Sequence, residues 1–380
     1  MNPKIENYKQ EDDVLEFTLK GVDVSFANAI RRTLLSEIPT VVFKTMPYEE
    51  NKCNILENTS RLNNEILKQR LSCIPIHITD LEIPLKDYLL ELDEENTTDT
   101  MMYVTTENFK IKNITTDKYL EEKDVRTIFP PYLPPTGKSE YFIDFVRLRP
   151  KISEEIPGEK IKLTCQFSIS NSKDDSMFNV VGTCAYGYTP DPEKIKEELV
   201  KKQQLWKDEG KTKEELEFES ENWKLLEGLR FVKQNSFDFI VQTVGVFENS
   251  TLIQKACEIV INKLLKLNSE FHKDDVKIET SVSTMENSYD IILENEDYTI
   301  GNILNYILYT VFYLDTKQLT YSGFKKMHPH DSDSIIRIAF MSPNSNKTTI
   351  KTMFKYTIEE AVKVLTKIKE QIKDIESSKR

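Results

Sequence analysis

Between residues 14 and 20 (VLEFTLK) apolar and polar positions alternate as in a half-buried strand, and helical spacing then takes over. Asp23 and Ser25 offer oxygens that can cap a helix start. Phe26, Ile30, Leu34, Leu35 and Ile38 recur on one face, and Pro39 closes the run. The same pattern returns late in the chain. Residues 289–293 (YDIIL) read as a strand, Glu296 and Asp297 stand at a helix start, and Thr299 is a candidate cap. Ile300, Ile303, Leu304, Ile307, Leu308, Val311 and Phe312 then form one apolar stripe.

Aligned, DVSFANAI (23–30) faces DYTIGNIL (297–304), Asp23 against Asp297, an offset of 274 residues. Each copy is followed, after an interval, by a further strand and a long helix. In the first half these are 237–246 and a helix from about Thr251 carrying Leu252, Ala256, Ile259, Val260 and Leu264. In the second they are 335–340 and a helix bearing Ile358, Val362, Leu365, Ile368, Ile372 and Ile375. Two copies of one α+β module, the first heavily interrupted, predict an intramolecular pseudo-dimer, because each stripe needs a partner surface of similar shape.

The interruptions set the expected domain plan. Residues 1–80 hold the first part of module 1. An inserted small β-rich domain follows at 81–158, with Pro84, the proline-rich FPPYLPPTG (129–137) and strand-like 141–147. Module 1 resumes over 159–275, including a charged helical excursion at 190–230 anchored by Trp206 and Trp223, and module 2 occupies 276–380.

Composition narrows the functional classes. With 63 acidic and 51 basic residues the net charge is −12, which argues against a broad electropositive footprint for nucleic acid. The five cysteines, at 53, 73, 165, 184 and 257, include no C-x-x-C pair, so neither a zinc site nor a redox motif is indicated. The polar start and the lack of any run of eighteen apolar residues predict neither a signal peptide nor a membrane span, hence an intracellular protein.

Candidate chemistry is sparse. Thr136-Gly-Lys-Ser139 echoes the end of a phosphate-binding loop without the glycine needed five residues before Gly137. His328 and His330 are close neighbours, with Asp331 and Asp333 beside them, but a metal would need a third ligand brought close by the fold, and a hydrogen-bonded turn explains them better than a metal does. No G-x-S-x-G occurs, and Cys73 sits in an apolar run where a thiol is ordinarily inert. The residues indicate no catalytic site, no cofactor and no metal.

VSFANAIRRTLLSEIPT (24–40) resembles the signature helix of the RNA polymerase alpha family, which includes archaeal and eukaryotic third-largest-type subunits. The resemblance continues through ENTS (57–60), Leu62, Glu65, Arg70-Leu71 and Ile74-Pro75-Ile76. Asn64 departs from the family's usual Asp, and Ser72 from its usual Gly. Residues 148–170, 178–186 and 237–256 resemble the segment that returns from the family's inserted domain. The second half, with 295–302, GFKKMHPH (323–330) and 336–338, is similar to the small partner of the cellular heterodimer.

The resemblance implies RNA polymerase alpha-type dimerisation modules, fused in one chain, that form a non-catalytic assembly platform. The largest and second-largest polymerase subunits, and small subunits besides, are its implied partners, with little direct nucleic-acid contact. Phe26, Ala27, Ile30, Leu34 and Leu35 are then expected to pack on Ile300, Gly301, Ile303, Leu304 and Leu308. Arg31 and Arg32 are expected to dock a large subunit, and Asn58, Thr59, Glu65 and Arg70 to order the module's loops. Many relatives carry a metal-binding cysteine cluster in the inserted domain, whereas residues 81–160 contain no cysteine. A fused chain of this kind, rich in Lys, Asn and Ile, is similar to polymerase subunits of large cytoplasmic DNA viruses, which implies the virion or the host cytoplasm. Two other readings stay open on the residues: a stand-alone homodimerising regulator, and a metal-dependent enzyme built on His328 and His330.

Overall fold

The computed structural model describes residues 1–134, 137, 139–153, 155–343 and 346–379. Its early elements are β1 (Lys4–Glu11), β2 (Val14–Lys20), α1 (Val24–Ser36), β3 (Thr40–Val42), β4 (Cys53–Asn58) and α2 (Asn64–Ser72). There follow β5 (Tyr88–Glu95), β6 (Met102–Thr105), β7 (Lys110–Asn113), β8 (Lys118–Tyr119), α3 (Glu122–Ile128), β9 (Asp144–Leu148), β10 (Lys160–Gln166) and β11 (Ser168–Ser170). The chain continues through β12 (Val181–Pro190), α4 (Pro192–Asp208), α5 (Lys213–Leu225), β13 (Val232–Thr243) and α6 (Asn249–Lys273). It closes with β14 (Ile278–Thr280), β15 (Ser288–Leu293), α7 (Tyr298–Ile307), β16 (Leu319–Lys325), β17 (Ser334–Phe340) and α8 (Lys347–Lys379).

Two compact units result. The first comprises Met1–Leu34, Thr183–Gln242 and Asn249–Arg380, and the second Leu35–Gly182 with Thr243–Glu248.

The first unit holds two four-stranded sheets, ordered β1-β2-β13-β12 and β14-β15-β17-β16. Counted within each sheet, both run first, second, fourth, third, with a helix after the second strand (α1, α7) and another after the fourth (α6, α8). The duplication read from eight residues therefore extends to a whole topology, and the fold is α+β. The inner strands carry the alternation that made them readable: Leu15, Phe17 and Leu19 in β2, and Ile336 and Ile338 in β17, are buried on one face.

The long helices α6 and α8 make the broadest helix contact of this unit. They run antiparallel: the Phe271 and Phe354 rings meet at a tilt with centroids 4.9 Å apart, and Lys369 pairs with Glu258 at 2.5 Å. Val260, Leu264, Leu365, Ile368 and Ile372 are fully buried along them. Gln371 of α8 also reaches the first sheet, accepting from the Ile5 amide at 2.9 Å and donating to the Pro3 carbonyl at 2.8 Å.

The second unit is centred on the sheet β4-β10-β5-β7-β8. Its core joins Phe43, Leu67, Leu71, Leu90, Phe109, Phe145, Leu163 and Cys165. Here the domain plan needs correction. The inserted unit runs from 35 to 182 and regains 243–248, rather than 81–158, because β10 pairs with β4 as well as with β5, Cys165 opposite Cys53. Residues 53–72 and 160–170 thus belong to its core. The 190–230 segment forms the hairpin α4–α5, with the Trp223 ring tilted against Phe231 and Thr212 and Glu215 forming a capping box.

Both interruptions fall at topological connections. The insert stands between the first helix and third strand of module 1, where module 2 has only a π-helical stretch, Leu308–Asp315. The α4–α5 hairpin joins the third and fourth strands, where module 2 has only the turn bearing His328 and His330.

Candidate subunit interface

The corners that launch α1 and α7 are built alike. The chain leaves β2 through Gly21 at φ 75° and β15 through Asn295 at φ 56°, again 274 residues apart. Glycine and asparagine are the residues that enter the left-handed region at least cost. At Gly21 a side chain would also strike the Asn2 carbonyl oxygen, 2.2 Å from an ideal Cβ. Two residues on, the Asp23 carboxylate accepts from the Ser25 amide at 2.8 Å, and the Asp297 carboxylate from the Thr299 amide at 2.8 Å. The aspartates are the caps in both copies. Thr299, expected as the cap, instead turns its hydroxyl to accept from Arg32 Nε at 2.9 Å.

That contact changes the place of Arg32. Its guanidinium also pairs with the Asp297 carboxylate, so it braces the start of α7 from the end of α1 rather than standing free at a surface. Arg31 differs. Its Nε and NH2 both donate to the Asn28 side-chain oxygen at 3.0 Å, which folds the guanidinium back along its own helix, half-buried. Beside it, burial pushes the Cys184 thiol up to about 12 against the opposing pull of Arg31, and burial likewise raises the Tyr186 hydroxyl.

Phe26, Ala27, Ile30, Leu34, Ile300, Ile303, Leu304 and Leu308 are each at most 1% exposed, and Leu35 is half-buried. Gly301 serves a contact that was not expected: an ideal Cβ there would lie 2.0 Å from the Phe324 ring, so its smallness admits a side chain of β16. α7 packs on α8, α6, β16 and β17, and meets α1 through Arg32.

In the second unit, the Asn58 amide donates to the Leu62 carbonyl and to Asn64 Oδ1, both at 2.8 Å, and its oxygen accepts from the Ser60 amide and hydroxyl. The Thr59 hydroxyl accepts from the Lys160 amide at 2.7 Å. Arg70 donates to the Phe145 and Asp144 carbonyls at 2.7 and 2.6 Å, tying α2 to β9. Glu65 is exposed in the first turn of α2, the end where a carboxylate suits the helix dipole. The two departures have local uses: Asn64 holds Asn58, and the Ser72 hydroxyl donates to the Phe43 carbonyl at 2.8 Å.

His328 and His330 occupy an exposed turn in which the His330 amide donates to His328 Nδ1 at 3.1 Å and the His328 amide to Asp331 at 2.9 Å. Among the described residues no group of three or more His, Cys, Asp or Glu side chains gathers as metal ligands would. Of the phosphate-loop echo, Thr136 and Lys138 lie outside the described residues. Sequence reasoning missed the Arg32–Asp297 brace, the Phe324 contact of Gly301 and the Arg337–Asp290 pair. No local pattern signalled the first, since the offset sets Arg31 and Arg32 opposite Asn305 and Tyr306, and only the fold brings Arg32 to Asp297.

The sequence pattern of the RNA polymerase Rpb3/Rpb11 dimerisation domain matches residues 16–264, well over half of the protein. The chain belongs to this dimerisation-domain family. The human protein named DNA-directed RNA polymerases I and III subunit RPAC1 is 30% identical over 203 residues, which cover 50% of this chain and 55% of that one. The Rpo3 subunit of DNA-directed RNA polymerase from Pyrococcus furiosus is 40% identical over 73 residues, covering 19% and 25%. Its counterpart from Methanosphaera stadtmanae is 28% identical over 201 residues, covering 50% and 64%. The chain spans about half the length of the RPAC1 proteins it matches. Among the described residues no helix of this family member is long and apolar enough to cross a membrane.

Proposed function

We propose that this protein is a non-catalytic platform subunit of a multisubunit DNA-dependent RNA polymerase, with both alpha-like halves fused in one chain. The observation that carries the reading is the repeat: two sheets of one strand order, launched through capped corners 274 residues apart, within one compact unit. The stripe of α1 and the stripe of α7 belong to the joint between the halves, braced by Arg32 and broadened by α6 against α8. The largest and second-largest polymerase subunits dock on the outer faces, and Arg31 contributes to the seat of the second-largest. The fused halves, with no cysteine in 81–160, support a viral polymerase working in the virion or the host cytoplasm.

Co-expression of the full chain with the two large subunits tests this. Arg31→Ala is the cleaner variant, because Arg32→Ala would also loosen the internal brace. It is expected to fold normally and to lower recovery of the second-largest subunit about tenfold, the loss of roughly 1.4 kcal/mol, while the largest is retained. Unchanged recovery of both would remove Arg31 from the seat. Failure of the wild-type chain to bind either would remove the platform reading itself.

A further inference from the structure

Ten of the 51 basic residues are arginines, and four of those ten, Arg61, Arg70, Arg147 and Arg149, line one open groove of about 460 Å³ in the second unit. Asp144 is the single acidic residue of the lining and no lysine contributes, so the lining residues carry a formal charge of +3, offset in part by the Glu159 carboxylate behind Arg149, in a chain of −12. Its accessible apolar lining is Leu62 and the exposed Met101, over the buried Phe145 and Val146 of the core.

Three of the guanidiniums are held in place from within. Arg70 is fixed on the Asp144 and Phe145 carbonyls. Arg147 lies over the Tyr103 ring, 4.9 Å from its centroid. Arg149 pairs with the buried Glu159 carboxylate, which also accepts from the Arg149 amide at 2.8 Å. Arg61 is exposed and has no hydrogen-bond or ion-pair partner among the described residues. Support of the fold accounts for Arg70 and Arg149. It does not account for Arg61 and Arg147, exposed cations gathered with two others where their mutual repulsion opposes folding.

We propose that this groove binds an acidic, partly apolar segment of a partner protein. Its carboxylates enter the guanidinium forks and an apolar side chain rests against Leu62 and Met101. Arginine is the residue suited to planar, two-pronged recognition of carboxylates, and a fork already oriented loses less freedom on binding than a mobile one. A track for nucleic acid fits less well, because Leu62 and Met101 are apolar and the lining lacks the lysines that spread charge along a phosphate chain. This inference rests on the groove alone and does not need the platform reading.

The test is fluorescence anisotropy on the full chain with a labelled peptide of about twelve residues alternating glutamate and leucine, at roughly 0.05 and 0.3 M salt. A glutamine–leucine peptide and a single-stranded oligonucleotide of equal length serve as the other arms. Saturable, salt-weakened binding of the glutamate peptide is expected, with the glutamine peptide inert. Arg61→Glu combined with Arg147→Glu is expected to weaken binding about tenfold or more. Both side chains are exposed, so the melting curve should hold. Should the pair unfold the protein, Arg61→Gln alone is expected to weaken binding about threefold. No saturable binding, equal affinity in the variants, or tighter oligonucleotide binding lost in the same variants would each overturn the proposal.

Discussion

At the corner leading into α1, Gly21 turns the chain, Asp23 caps the helix and Arg31 folds back on Asn28. At the corner leading into α7, Asn295 makes the turn, Asp297 caps, and Asn305, the counterpart of Arg31, accepts a hydrogen bond from Ser322 at 2.9 Å. Arg32 has Tyr306 opposite it. What the corners share is turn, cap and buried stripe, the parts that make a strand hand over to a helix. What differs begins one turn later, on half-exposed positions. α1 remains α-helical to Ser36, whereas α7 gives way to a π-helix at Leu308. Equivalent places in the two copies thus carry different chemistry, guanidiniums in one and a neutral amide and phenol in the other, each with its own internal use.

The sharpest way to break the comparison is to empty equivalent core positions. Ile30 and Leu304 stand 274 residues apart and are 1% and 0% exposed. Ile30→Ala and Leu304→Ala should each cost about 2–5 kcal/mol, since both delete buried methyls from a packed site. Denaturant midpoints at unchanged slope measure this. A cost well under 1 kcal/mol at either position would show that the corners are not equivalent in the core.

Exchanging the small residues sharpens it. Ala27 and Gly301 occupy the same place in the repeat, but Gly301 lies under the Phe324 ring. Gly301→Ala should destabilise by about 1–3 kcal/mol through overpacking. Ala27→Gly should cost about 1 kcal/mol through helix propensity. Phe324→Leu in the Gly301→Ala background should recover part of the loss, because a smaller side chain can give way. Absence of rescue would place the strain elsewhere.

Much of this was legible before any coordinates. β2, β13, β15 and β17 are inner strands whose buried faces impose alternation, so VLEFTLK and its counterparts declare themselves. The edge strands β1, β12, β14 and β16 did not, because KIENYKQE or LTYSGFK need not be apolar when one side faces water. The cap of α7 was misplaced by two residues because Asp297 and Thr299 both carry cap-forming oxygens, and only geometry decides which one faces the free amides. The bounds of the insert were hidden for another reason. Cys53 meets Cys165 through strand pairing over more than a hundred residues, and no local pattern reports that. The arginine groove is the extreme case, gathered from positions 61, 70, 147 and 149.

The smallest effect concerns the inner strands themselves. Thr18 and Asp238 are cross-strand partners between β2 and β13, joined by a 2.7 Å hydrogen bond from the threonine hydroxyl. Asp290 and Arg337 are partners between β15 and β17, joined by two N–H···O bonds of 2.6 Å. The Arg337 guanidinium holds the Asp290 carboxyl below its ordinary value. A carboxyl depressed in the folded state stabilises fully above its unfolded pKa of about 3.9, and that stabilisation is lost as pH falls through the folded value. Asp290→Asn should therefore cost about 1 kcal/mol or less at neutral pH and flatten the fall of stability below about pH 4. Urea unfolding at stepped pH reads both quantities. An acid slope equal to that of the wild type would mean that module 2 draws no charge-dependent stability from this pair, and the two sheets would then be alike in the one respect where their chemistry differs most.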